Sequence, residues 1–448
     1  RDRMVEGLLP NQTYYARVCH TNKAGITSDW STIISFQTAV DFIPNTATSA
    51  LTSAGRTGFG RRFVTSANEN VTVVYDAFYK DVNNVAVGFD GALQVYTPRS
   101  TTPAFTLPFK RNNFPVEVDD CSLALSADGK FLAVALRSFD KGSDKNIVNI
   151  YSVDDNKLYL LQTLASFDET VSSSLTNKLT VRFSDDGSYL AVGSPGSVVG
   201  GAVTGAVMVF YRDKGVFNRQ AVITRTSAAG GDRIGTAVAI NGDGSKIAYS
   251  MSPLSGANNI VYTQARTNTT WATGANITAA SAVAADKFGT HIEMTSDGTR
   301  VAVAAPGTTV GGMADRGQVY VFNFASNAWS MVGTGVSPST LAAGEKFGSS
   351  LRIARGGNSS GSLLAVGCEE MKDGTTMKAG AVFLWNVGAS TFSATPDYTL
   401  RSPSPSTNGR FGACIAMTST GGSMNVGECT YDPANVSLTG PGKIHRFK

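Results

Sequence analysis

The stretch FSDDGSYLAVG, residues 183–193, sets two carboxylates, Asp185 and Asp186, directly before Gly187. Acids beside a glycine are raw material for a calcium loop, but such a loop needs several oxygen ligands at set spacing, as in D-x-D-x-D-G. Two acids stand here, and the sister phrases SADG, NGDG and TSDG offer one each, at Asp128, Asp243 and Asp297. An Asp-Gly pair between two apolar runs also encodes a tight turn joining antiparallel strands. The turn accounts for Asp186-Gly187 and leaves Asp185 without a task; no metal site is expected. Glycoside cleavage would need two carboxylates facing one substrate. Glu369 and Glu370 are adjacent, and neighbours on a strand point to opposite faces, so they are not expected to form such a pair.

Other chemistry is thinly supplied. Only three histidines occur (His20, His291, His445), and the five cysteines, Cys19, Cys121, Cys368, Cys414 and Cys429, never fall in a CxxC spacing. Neither a zinc site nor a disulfide framework is expected. With HExxH and P-loop motifs also absent, no cofactor and no catalytic activity are expected. A formal charge of +4 over 448 residues lacks the concentrated Lys/Arg of a nucleic-acid binder. No apolar run reaches the length of a membrane span. Nucleic acid and membrane insertion are therefore not expected, and the opening Arg1 leads us to expect a piece of a longer polypeptide.

The elements that must carry any site come from a repeat. VAVG, LAVA, LAVG, IAYS, VAVA, LAVG and MNVG stand at Val85, Leu132, Leu190, Ile247, Val301, Leu364 and Met424. The steps of about 47 to 63 residues match propeller blades, not helical repeats. Eight to ten residues before each lies an apolar-x-apolar pair, such as Val181-Arg182-Phe183 or Ile292-Glu293-Met294, with Asp76-Ala77-Phe78 the weakest copy. After each comes a third strand with period-two alternation, as in GAVMVFY and GQVYVFN, and often a fourth. This predicts an all-β fold, a seven-bladed β-propeller of four-stranded antiparallel blades. Six of the seven phrases carry alanine at the second position (Ala86, Ala133, Ala191, Ala248, Ala302, Ala365), where blades packing face to face leave room for a methyl group; Asn425 departs.

The last repeat stops in its third strand, so the ring needs a strand from the other terminus. GFGRRFVTS, residues 58–66, resembles a fourth strand and is expected to close blade seven. The domain reading is then a small module at 1–40, a polar linker at 41–57 and the propeller at 58–448. Turns between strands one and two are short, whereas connections between strands two and three are long and differ among repeats, which makes their face the expected seat of recognition. The tips at Arg137, Lys141, Asp144, Lys145, Asp315, Arg316, Glu370, Lys372 and Tyr431 are the expected contact residues.

Two resemblances add to this. Residues 4–39, with Leu8-x-Pro10, Tyr14-x-Ala16-x-Val18, Asn22-x-x-Gly25 and Asp29-Trp30-Ser31, resemble the last part of a fibronectin type III domain, with Tyr14 at the tyrosine-corner position. The frame from Lys287 to Trp329, with KFG repeated at Lys346, RFG at Arg410 and RIG at Arg233, resembles FG-GAP repeats of the integrin-α type, although blades one to three read as lacking FG and that family's calcium loops are missing. The combination looks like tail-fibre proteins of large bacteriophages. That resemblance implies a non-enzymatic virion adhesion module, partnered by a host-surface glycan or protein and by other tail proteins, and assembled as a homo-oligomer such as a trimer. A bacterial extracellular adhesin or scaffold is the alternative, and a glycan-cleaving propeller enzyme a more distant one.

Overall fold

The computed structural model describes residues 13–17, 19, 21, 27–37, 47–52, 58–76, 91–98, 100–109, 121–140, 143–165, 178–225, 227–279, 283–357, 361–388, 390–430 and 442–447. Seven four-stranded antiparallel sheets form a ring. Their inner strands are Phe63–Thr65, Ser122–Leu125, Thr180–Phe183, Val238–Ile240, His291–Met294, Ser350–Ile353 and Ile415–Met417. Each neighbours the next around the axis, and from each the chain steps outward through its own sheet. The all-β seven-bladed propeller read from the repeats is the fold found. In the preceding segment, Thr13–Ala16 pairs antiparallel with Ile34–Gln37, Tyr14 opposite Phe36.

The buried residues fall into seven clusters, and each is one interface between two blades. Ala302, Val319 and Val321 of blade five meet Leu351, Leu364 and Val366 of blade six; Ala191, Val207 and Val209 of blade three meet Val238, Ile240 and Ile247 of blade four. The small second-strand residue therefore sits where one sheet lies on the next, as its size demands. Asn425, at the last interface, donates from Nδ2 to Thr65 Oγ1 at 2.9 Å, so a polar residue replaces alanine only where a hydroxyl receives it.

Blade one departs from the sequence reading. Its inner strand is Phe63–Thr65 and its second strand Thr72–Asp76, with Val73 at the alanine position. The phrase at Val85 and the end of the Asp76-Ala77-Phe78 pair lie outside the described residues. GFGRRFVTS thus opens blade one rather than closing blade seven. The closing strand is Ser49–Thr52, inside the expected linker, paired Ser49 to Arg446 and Leu51 to Ile444. A borrowed strand does close the ring, from a segment whose one fully buried residue, Leu51, is too weak a pattern to announce it. Arg446 reinforces the seam by donating to the carbonyls of Pro98 at 2.8 Å and Ser100 at 3.0 Å.

A chain lacking residues 1–46 should melt as the whole protein does, whereas Leu51→Ala should cost about 2–5 kcal/mol, and loss of residues 1–52 should unfold the ring in a thermal scan. Ala302→Leu should cost about 1–3 kcal/mol by overpacking; an unchanged melting temperature would contradict the interface assignment.

Candidate functional site: the axial channel and its two faces

The turns after the inner strands of blades one to five are built on one plan. In blade three, Ser184 Oγ donates to Asp186 Oδ1 at 2.8 Å, Ser188 N donates to the same oxygen at 2.9 Å, and Tyr189 N donates to Ser184 Oγ. Asp128, Asp243 and Asp297 make the equivalent bonds, and Asn68 does so in blade one. Burial works against the Asp186 charge, but the bonds from Ser188 and Ser184 hold its carboxyl below the ordinary range. The acids are turn acceptors, as the Asp-Gly reading holds.

The second residue of each turn points its backbone around the axis, a role that Arg355 and Gly356 share in blade six. Ala67 N donates to Ala127 O, Ala127 N to Asp185 O, Asp185 N to Gly242 O, Gly242 N to Ser296 O, Ser296 N to Arg355 O, Gly356 N to Ser419 O and Ser419 N to Ala67 O. Seven hydrogen bonds close a circle, one per blade junction. Asp185 gains a task here, since its carboxylate takes Arg355 Nε and Ser296 Oγ from across the axis.

Above this circle lie the middle residues of the inner strands, the x of each apolar-x-apolar pair. Pairing opposite the small second-strand residues aligns them: Ala124, Arg182, Ala239, Glu293, Arg352 and Ala416. Three are charged and meet on the axis. Arg182 Nη2 lies 3.0 Å from Glu293 Oε1, and Arg352 Nη1 pairs with that same oxygen. Burial opposes the Glu293 charge, but Arg352, Arg182 and Arg355 overcome it and keep its carboxyl below the ordinary range.

Above Glu293 the channel widens to about 470 Å³, lined by Arg62, Lys178, Arg182, Arg233, His291 and Arg352 among others. Burial lowers the guanidinium pKa of Arg233, and of Arg182. Burial, with Arg62, Arg352 and Arg182 nearby, pushes His291 down to about 4, and its Nδ1 has no hydrogen-bond partner among the described residues. The other described histidine, His445, is packed on Phe411 and set 2.6 Å from Glu428. The signal for the channel residues lies in the sequence, as charges in a strand whose sisters carry alanine.

The opposite face holds the connections expected to bind. In blades three, five and six they share one form, a short hairpin rather than an irregular loop. Val198 pairs with Val203, Val310 with Met313 and Asp373 with Thr376, and Gly311-Gly312 supplies the two positive φ angles that a two-residue turn of this hand requires. Each hairpin clasps the FG segment of the following blade, or in blade four its RIG variant, where Ile234 N donates to Thr204 O. Asp315 and Arg316 accept at their carbonyls from Lys346 N and Phe347 N, and Lys378 and Ala379 do the same for Arg410 and Phe411. Phe347 and Phe411 are fully buried on the third strands of their own blades. The dipeptide also precedes blade one, as Phe59-Gly60, contrary to the reading that blades one to three lack it; a Cβ on Gly60 would stand 2.4 Å from Lys443 O.

The expected contact residues therefore divide. Asp315 and Lys372 are exposed. Arg316 is buried, its Nη2 donating to Pro338 O, and is a hairpin strut. Glu370 is held by Lys346 at 3.2 Å and Arg410 at 3.4 Å, and Arg410 also reaches Glu369, which pairs with Arg61. Glu369 and Glu370 follow the strand instead of lying on it, so they converge on Arg410 rather than pointing apart. Arg137, Asp144 and Lys145 are not in a loop: the second strand of blade two runs to Asp140 and the third starts at Ser143, pairing Arg137 with Asn146. Lys141 and Tyr431 lie outside the described residues. A G-x-S-x-G pattern stands at residues 357–361, and its Asn358, Ser359 and Ser360 lie outside the described residues.

No protein-family model and no curated protein matches the chain. Solved structures do. Kuenenia stuttgartiensis hydrazine synthase matches with a TM-score of 0.52 at 13% identity, over 84% of this chain and 94% of that one. The WD40 repeats of RRP9 match with a TM-score of 0.52 at 10% identity, over 91% and 100%. The periplasmic gluconolactonase PpgL of Pseudomonas aeruginosa matches at 0.49 with 14% identity, over 87% and 93%. Identities this low show the fold alone. The hydrazine synthase and the WD40 repeats of RRP9 both share the fold, so the fold decides neither for nor against catalysis.

The His291 shift has a consequence for stability. The unfolded imidazole titrates near 6.5 and the folded one at about 4, so unfolding takes up a proton between these values and stability falls as the pH drops from 6.5 to 4. His291→Gln should flatten the melting temperature across that window; an unaltered slope would contradict the burial of a neutral imidazole.

Proposed function

We propose that this chain is a non-enzymatic recognition module that binds a surface glycan or protein through the hairpin face of its propeller, as part of a virion tail fibre. One observation carries the reading. Leu254, Met313 and Met377, in the second-to-third-strand connections of three successive blades, are 67%, 38% and 46% exposed, so one face offers a row of large apolar side chains. The hairpins carrying Met313 and Met377 are already fixed by the FG clasp, which lowers the ordering cost of binding, and methionine adapts its shape to a partner. Charged Asp315 and Lys372 flank the row. Glu369 and Glu370 are engaged by cations, which supports recognition over glycan cleavage. The assignment to a virion rests on the resemblance of the module order to tail fibres, and a bacterial adhesin would use the same face. Several copies in one fibre would raise avidity by roughly 10²–10⁴.

The test is retention of the purified protein on intact cells of a panel of Gram-negative strains and on their extracted lipopolysaccharide. The expected result is binding with no change in glycan length, lost at least tenfold in a Leu254→Ser, Met313→Ser, Met377→Ser variant that melts normally. Retention on none of the strains, unimpaired binding by the variant or shortened glycans would each contradict the proposal.

A further inference from the structure

We infer that the upper axial channel is an oxyanion-binding site, built for a carboxylate or phosphate carried on a sugar-sized ligand. The site deepens the recognition reading but stands on different residues. Its walls bring together five cationic side chains, Arg62, Lys178, Arg182, Arg233 and Arg352, from the starts of four blades, and among the described residues no carboxylate lines it. The nearest acid, Glu293 on the floor, offers Oε1 to both Arg182 and Arg352. One oxygen thus serves two guanidinium groups, each of which also donates to the carbonyl before it, Val181 O or Leu351 O, and both still line the channel. Cations gathered in a half-enclosed space repel one another and focus a positive potential into it. The chain as a whole carries only +4, so this concentration is local.

Shape agrees with charge. A volume of about 470 Å³ falls in the range of small-ligand sites. Arginine forks match the two oxygens of a carboxylate or phosphate, where a single ammonium would not. His291 adds a neutral ring whose Nδ1 has no hydrogen-bond partner among the described residues. Its surroundings are Arg62, Arg182 and Arg352, with Glu293 below. Burial is the main cause that holds the imidazole neutral, the cations add to it, and an anion entering among them offsets that second part.

Isothermal titration with glucuronate, glucose 6-phosphate and glucose, at low ionic strength, tests the inference on the intact chain. Both charged sugars should bind and glucose should not; comparing the first two separates carboxylate from phosphate preference. Arg62→Gln combined with Arg233→Gln should weaken binding at least tenfold, read on variant protein that still unfolds in one cooperative transition. Glu293→Gln should do the opposite, tightening binding while lowering stability, a pairing that a purely structural role for Glu293 would not produce. Bound ligand should also raise the His291 pKa from about 4, read from its ring resonances. Binding of glucose as tight as glucuronate, no binding of either charged sugar, or affinities unmoved by the three substitutions would overturn the inference. These outcomes leave the hairpin-face assay unaffected, so either reading can fail alone.

Discussion

A circle of seven backbone hydrogen bonds, running from turn to turn around the axis and returning to Ala67, is the constraint on which the other features rest. Each bond is worth only about 0.5–1.5 kcal/mol net. Their arrangement matters more than their sum, because a circle has no free end. The donors and acceptors are main-chain groups at the bottom of a narrow channel, where an unmade bond would leave a polar group buried. The circle fixes where each inner strand starts its turn. That sets the height at which Arg182, Glu293 and Arg352 meet, and the floor of the cavity above them.

The opposite face is fastened differently. There the hairpin of one blade accepts hydrogen bonds from the FG segment of the next, and the phenylalanine seals the third strand behind it. Backbone geometry forces the residue before the phenylalanine, or before Ile234 in blade four, into the left-handed region, as Lys287, Lys346, Arg410 and Arg233 all show. Two of these basic residues are drawn into ion pairs with Glu370, and Arg233 turns to the channel. One backbone solution repeated around a ring thus places positive charge around the mouth of the axis. Between the two faces lie seven apolar interfaces that allow the blades no independent packing.

The repeat was legible because buried strands cannot vary much: a methyl-sized residue flanked by Val or Leu recurs wherever two sheets touch. Blade one escaped because its turn uses Asn68 where blades two to five use Asp, so SANEN does not look like SADG although its bonds match. The closing strand escaped because an outer strand needs only one buried side chain, Leu51. Variable loops were expected where repeated hairpins exist: Gly200-Gly201 and Gly311-Gly312 share a turn with two positive φ angles, and Gly374-Thr375, with a positive φ at Gly374 alone, closes a hairpin of the same length by another turn. Channel charge was visible as Arg182, Glu293 and Arg352, but an alternating strand does not say whether its polar side faces solvent or an axis. That information belongs to the closed ring.

Native-state hydrogen exchange at the amides of Ala67, Ala127, Asp185, Gly242, Ser296, Gly356 and Ser419 tests most directly whether the circle makes the seven blades one unit. These amides should exchange only through global unfolding, sharing one opening free energy and one denaturant dependence. Opening free energies that differ from blade to blade, or fast exchange at any of the seven in native conditions, would contradict the account.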